Sequence, residues 1–267
     1  MIRASTYAAT ALVIAAATLH VENIFAASGR QPPPPGALAG APDQFTRFTD
    51  QELTRGFLAL AFGSDLRIGA RPKGIRRFNR QIRVHIVPGG SVARAAAVER
   101  IVTEYAAKVP ALRLGMDDNP KTANVLIRLI DEKDFESALE IAFGRKTARA
   151  FVAKTNPQCM TSVKSRTNGE IIHATSFIIV DQGENVFLDC AYHELLHAFG
   201  LSNHDARNPW TTLNQERMVG YLTAYDRALL TILYDRRIRP GMTLAQVQRV
   251  LPRVIEALGL ATDAGGG

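Results

Sequence analysis

The chain has 267 residues, 46% of them hydrophobic and 21% charged, and carries a net charge of +7. That balance supplies enough apolar side chain for a sizeable core and excludes a disordered or collagen-like polymer. Two cysteines exclude a small disulfide-dense scaffold, and the positive charge comes with no nucleic-acid-binding motif, so no nucleic-acid partner is expected.

The amino end reads as an export signal over 1–26. Arg3 supplies the positive start, 8–19 is an apolar run too short to cross a membrane comfortably, and Ile24-Phe25-Ala26 offers a small-residue cleavage site. The expected location is therefore periplasmic or secreted. Residues 27–44 include four consecutive prolines, Pro32 to Pro35, and read as an extended linker that cannot join a core. One folded domain is expected over 45–260, in a monomer, followed by a frayed tail at 261–267.

Within the domain, Thr49-x-x-Glu52 is a capping box ahead of a helix over 52–62. The stretch 67–83 holds Arg67, Arg71, Lys73, Arg76, Arg77, Arg80 and Arg83; it reads as a solvated loop or as a contact for anionic envelope polymers. Alternating apolar residues predict a strand over 81–87, with His85 on its polar face. A helix over 92–109, a central strand over 123–131 and a short helix over 134–143 follow. Two strands over 158–163 and 170–180 are joined by a turn at 165–169. After a further helix comes a polar loop over 205–217, with Trp210 in the cleft wall. Thr223-x-x-Asp226 opens a helix reaching about 234, and Thr243-x-x-Gln246 opens a last helix that Pro252 should kink.

The stretch Cys190-Ala-Tyr-His-Glu-Leu-Leu-His-Ala-Phe-Gly-Leu-Ser-Asn-His-Asp205 holds three of the six histidines. A helix is predicted over 186–199, because no Pro or Gly interrupts it and Phe187, Leu188, Ala191, Leu195 and Ala198 recur at helical spacing. His193 and His197 then stand one turn apart on one face. Glu194 is rotated about 100° from His193, near enough to flank what the histidines hold. Gly200 sits where a helix end favours a left-handed residue, so the chain can turn and bring His204 back. In H-E-x-x-H, two histidines bind zinc and the glutamate handles the proton of an attacking water. Behind an export signal, Cys159 and Cys190 read as one disulfide; Cys190 as a metal ligand and two free thiols are the other readings.

His193-Glu194-x-x-His197-x-x-Gly200-x-x-x-His204 resembles the metzincin clan of zinc peptidases, with one departure. The clan's third ligand falls at Asn203, and His204 comes one residue late. The resemblance implies zinc on His193, His197 and His204, with Asp205 as the alternate third ligand and Glu194 as general base. Met218 and the segment through Asp235 are similar to the clan's methionine turn and closing helix, which makes Met218 an apolar floor under the metal. Tyr221 is a candidate donor to an oxyanion, and Asp226 is either a helix cap or a support for a metal-bound histidine. The implied fold is α+β and zincin-like: a mixed twisted sheet packed on the active-site helix, with a mainly helical C-terminal part. In such folds the strand upstream of the metal helix, here 171–180, edges the cleft and pairs with a substrate peptide. The segment from Cys190 to about Leu251 also resembles a family of uncharacterised exported bacterial proteins. The implied activity is zinc-dependent endopeptidase action on a peptide or protein substrate. The displaced third ligand motivates a rival, a non-catalytic envelope-associated binding or scaffold protein on the same fold.

Overall fold

The computed structural model describes residues 48–63, 73–155 and 157–259. The export signal, the proline-rich linker, the tail, Arg67 and Arg71 lie outside the described residues. Helix α1 (Asp50–Phe62) starts with the predicted reciprocal cap: Glu52 N donates to Thr49 Oγ1 at 3.2 Å and Thr49 N to Glu52 Oε2 at 2.8 Å. There follow β1 (Ile82–Val87), α2 (Ala95–Lys108), β2 (Leu114–Met116), β3 (Val125–Ile130), α3 (Glu132–Phe143), α4 (Arg145–Thr155), β4 (Cys159–Ser165), β5 (Ile171–Ile179), α5 (Glu184–Ala198), α6 (Ala224–Leu233) and α7 (Leu244–Leu258).

The strands form one mixed sheet in the order β2-β1-β3-β5-β4. β3 is central, as predicted. β1, β2, β3 and β5 are parallel, and β4 is antiparallel to β5, with Cys159 opposite Ile178 and Val163 opposite Ala174. The α+β class is as expected. β2 and α4 were not anticipated: β2 is only three residues long, and α4 buries just Ala148 and Phe151. The assignment of the cleft edge to 171–180 is corrected, since β5 is hydrogen-bonded on both sides and, among the described residues, the edge falls to β4. The near-continuous apolar end of β5, Phe177 to Val180, is what two-sided burial demands.

Helix α5 lies against β4 and β5, and α2 against β1 and β2. The predicted stripe of α5 is buried throughout, and Cys190, Tyr192, Glu194 and Leu196 are buried as well. Such a helix belongs inside a core rather than on it. Alternation along β5 sends Ala174 and Ile178 into this main core, and Phe177 and Ile179 into a smaller one with Phe135, Leu139, Ala148 and Phe151 of the α3–α4 hairpin. Helix α1 packs with α6 and α7. Tyr225 Oη donates to Glu52 O at 2.6 Å, and a Cβ at Gly56 would stand 1.9 Å from Tyr225 Oη, so this approach of α1 to α6 requires glycine. Among the described residues no helix is long and apolar enough to cross a membrane.

Candidate metal centre and cleft

Along α5, Asp189, His193 and His197 are half-buried at successive turns, a stripe left open on an otherwise covered segment. Gly200 ends the helix at φ +117°, with Leu201 N donating to Leu196 O and Gly200 N to His197 O, both at 3.1 Å. This is the paired bonding of a left-handed helix end. A Cβ at Gly200 would also meet Arg76 O at 2.2 Å. Beyond the turn, Asn203 is held on α1: its Nδ2 donates to Ala59 O at 3.1 Å, and Ser202 N and Asn203 N donate to Leu60 O at 2.8 and 3.2 Å. These bonds satisfy carbonyls at the end of α1. The turn after Gly200 is thus seated against α1, and His204 reaches the histidine pair.

The Nε2 atoms of His193, His197 and His204 lie 2.9 to 3.1 Å from one another. His193 Nδ1 is 3.0 Å from Thr212 O, and His197 Nδ1 is 2.6 Å from Leu201 O. A carbonyl only accepts, so both Nδ1 atoms carry the proton and both Nε2 atoms carry lone pairs. Two lone pairs 3.1 Å apart have no proton to share. A cation between them converts repulsion into binding. The spacing approaches the roughly 3.3 Å between nitrogens of a tetrahedral zinc site with bonds of about 2.0–2.1 Å. Burial, the largest cause, keeps the rings neutral: it lowers His193 to about 3, His197 to about 4 and His204 to about 2. Neutral imidazoles are the ligand form.

These three are the residues among those described that converge as potential metal ligands. Asp205, the alternate third ligand, is not with them; it is buried, accepts from Arg207 N at 3.3 Å and pairs with Arg207 Nε at 3.6 Å. Cys190 is bonded to Cys159 as the expected disulfide, which removes it as a ligand and ties the edge strand β4 to α5. Thr161 of β4 adds a second tie, donating to Glu194 O at 3.1 Å.

Glu194 is 3% exposed, and its Oε2 is buried without a hydrogen-bond partner. Burial pushes its carboxyl up to about 8, opposed by the Thr161 hydroxyl and reinforced by Asp189. An orphaned carboxylate oxygen beside three converging histidines fits a site that takes a metal and water.

The Asp226 carboxylate joins the start of α6 to the peptide behind His193. Its carboxylate accepts from Thr211 Oγ1 at 2.5 Å, Thr212 N at 2.9 Å, Thr212 Oγ1 at 2.8 Å and Thr223 Oγ1 at 2.9 Å. The cap of α6 is Thr223, whose Oγ1 accepts from Asp226 N at 3.0 Å; the Asp226 carboxylate steadies that cap and also holds the peptide whose carbonyl orients His193. Thr212 escaped sequence reasoning because its contribution is a backbone carbonyl, which every residue possesses. Met218 is no buried floor. Val219 N donates to Asp189 Oδ1 at 2.7 Å and turns Val219 inward, which leaves Met218 40% exposed at the cleft lining. Tyr221 is buried outside the lining, and its carbonyl accepts from Thr212 Oγ1 at 3.1 Å. Trp210 is likewise not a wall of the cleft; it is 3% exposed and packs edge-on against Phe48.

A cavity of about 840 Å³ opens over the histidines and follows β4. Leu139, Phe143, Ala148 and Phe151 of the α3–α4 hairpin line its apolar part, and Arg76, Ser202 and Asn214 contribute polar lining. Elsewhere in the basic stretch, Arg80 pairs with Glu170 at 3.4 Å and Arg83 with Asp117 at 3.2 Å.

No curated protein and no solved structure matches the chain. A family model does match, over residues 50–253, which takes in the whole sheet, α5 and all three converging histidines. The chain belongs to that family, described as Protein of unknown function (DUF2927).

Proposed function

We propose that the chain is an exported zinc-dependent metallopeptidase. The observation that carries this reading is the convergence of three histidine Nε2 atoms, two of them with their tautomer set by backbone carbonyls. Bound there, zinc supplies a Lewis acid that polarises a peptide carbonyl and brings the pKa of a coordinated water toward about 7. His193, His197 and His204 hold the ion. Glu194 receives the proton of the attacking water at its free Oε2 and returns it to the leaving amine. A carboxyl raised by burial is a competent proton donor for the second step, and a cation beside it favours the ionised form needed for the first.

The rest of the cleft suits a peptide. Among the described residues β4 pairs on one side only, with β5, so its outer edge can receive an extended chain as an added strand. The apolar lining from α3 and α4 suits an apolar substrate side chain. The disulfide supports an oxidising compartment, in line with periplasmic or secreted location. Arg77 is built into the fold, and Arg80 and Arg83 already pair with acidic groups at the surface, which weakens the case for 67–83 as a polymer-binding strip.

Elemental analysis of the purified protein tests the reading, with His193→Ala and His204→Ala variants alongside. About one zinc per chain is expected in the wild type and none in either variant. Glu194→Gln should keep zinc and lose turnover of a peptide library. A folded wild type that takes up no zinc when supplied with it refutes the proposal and leaves the binding or scaffold reading.

A further inference from the structure

Arg76 and Arg77 are neighbours with opposite fates. Arg77 is built into the fold: its Nη1 donates to Leu233 O at 2.7 Å, Asp235 O at 3.0 Å and Ile238 O at 2.8 Å, and its guanidinium lies 4.5 Å from the Tyr234 ring centre. Arg76 lines the cavity with His193, Glu194, His197 and His204. Its Nε is buried without a hydrogen-bond partner, and no carboxylate pairs with it among the described residues. The backbone beneath it is pinned on both sides. Ile75 N donates to Met242 O and Gly241 N to Ile75 O, both at 2.8 Å, and Arg77 N donates to Gly169 O at 3.3 Å. The carbonyl of Arg76 itself rests against the Gly200 turn.

A fixed backbone therefore presents an unpaired guanidinium to the cleft. Burial lowers its pKa with no acidic neighbour to offset the cost, and its charge is felt at His197. Beside a site for a divalent cation, such a group opposes both folding and metal binding. A ligand that brings negative charge reverses the balance, and the planar fork of arginine matches a carboxylate through two parallel hydrogen bonds. We propose that Arg76 anchors a carboxylate of the peptide bound in the histidine cleft, so that the substrates are peptides bearing a free C-terminus or an acidic side chain close to the scissile bond. This inference rests on the metallopeptidase reading of the same site.

The test uses the full chain carrying Glu194→Gln, zinc content measured, titrated calorimetrically with acetylated alanine pentapeptides. One has a free C-terminus, one is amidated, and one is amidated with a central glutamate. At least one carboxylate peptide should bind roughly 10-fold tighter than the neutral one, about 1.4 kcal/mol. Which of them gains tells a terminal from a side-chain carboxylate. Arg76→Met should erase the gain without lowering the melting temperature, and Arg76→Lys should keep part of it, since charge remains and the fork is lost. A zinc-loaded protein that binds all three alike or not at all, or a preference that survives Arg76→Met, overturns the inference alone. A folded protein that takes up no zinc overturns the metallopeptidase reading and this inference with it.

Discussion

Asp226→Asn separates the two duties that the structure gives to one carboxylate. Asp226 is 0% exposed and accepts bonds from three threonine hydroxyls and one amide. Burial raises its pKa while these donors pull it down. An asparagine oxygen in the place of Oδ2 keeps the bonds to Thr212 and Thr223, and the Thr211 hydroxyl turns to accept from the new amide. What is lost is the charge assistance of those bonds, and since burial leaves the carboxyl raised overall, the buried charge that goes with it was itself costly. Unfolding stability should change by no more than about 1.5 kcal/mol. The Thr212 carbonyl is then less firmly held, and His193 with it. Loss of a group that orients a metal-bound histidine typically weakens metal affinity about 10–100-fold. The assay is competition for zinc against a chromophoric chelator, with urea unfolding of the metal-free protein in parallel. Thr223→Ala is the control: it removes the α6 cap, costing about 1 kcal/mol, and leaves Thr212 in place. Zinc affinity should fall in Asp226→Asn and hold in Thr223→Ala. An unchanged zinc affinity in a folded Asp226→Asn protein would refute the reasoning and leave Asp226 as a support of the Thr223 cap alone.

Replacing Cys159 and Cys190 together with serine opens a loop of sequence separation 31; the chain-entropy model puts the loss at about 3.7 kcal/mol, read from the urea midpoint of oxidised wild type against the variant. Asp189 supplies a pH prediction for the metal-free protein. Burial raises its carboxyl from 3.8 to about 6, so between those values the folded chain holds a proton that the unfolded chain has released. Stability from this group is complete below about pH 4 and is lost as pH rises through 6, by up to about 3 kcal/mol. Asp189→Asn, which can still accept from Val219 N, removes this contribution alone, while the buried histidines and Glu194 titrate in both proteins. The difference in unfolding free energy between wild type and variant should therefore shift against the wild type by up to about 3 kcal/mol from pH 4 to 7 in urea titrations. A difference that does not change with pH would show that Asp189 does not titrate in this way.

How much of this was readable beforehand depends on whether a residue acts through its side chain or through the backbone. His193, Glu194, His197 and Gly200 follow from helical periodicity and from the steric demand of a positive φ, both of which are local. The groups that orient the histidines, Thr212 O and Leu201 O, are carbonyls, and no residue type announces them. Strand order is non-local as well: whether β4 or β5 takes the edge depends on which of them meets β3, although the apolar run ending β5 already favoured an interior place. Arg76 and Arg77 are chemically identical, and only the position of the carbonyls after α6 decides which becomes structural. The third histidine makes the same point most sharply. Counting residues from His193 selects Asn203, which is correct only if the turn after Gly200 is closed by its own length. Here the turn is closed by α1, whose last carbonyls hold Ser202 and Asn203. Spacing therefore governs the histidines that share a helix and ceases to govern the one beyond it, and this is why His204, one residue later than the count selects, lies within 3.0 Å of both partners.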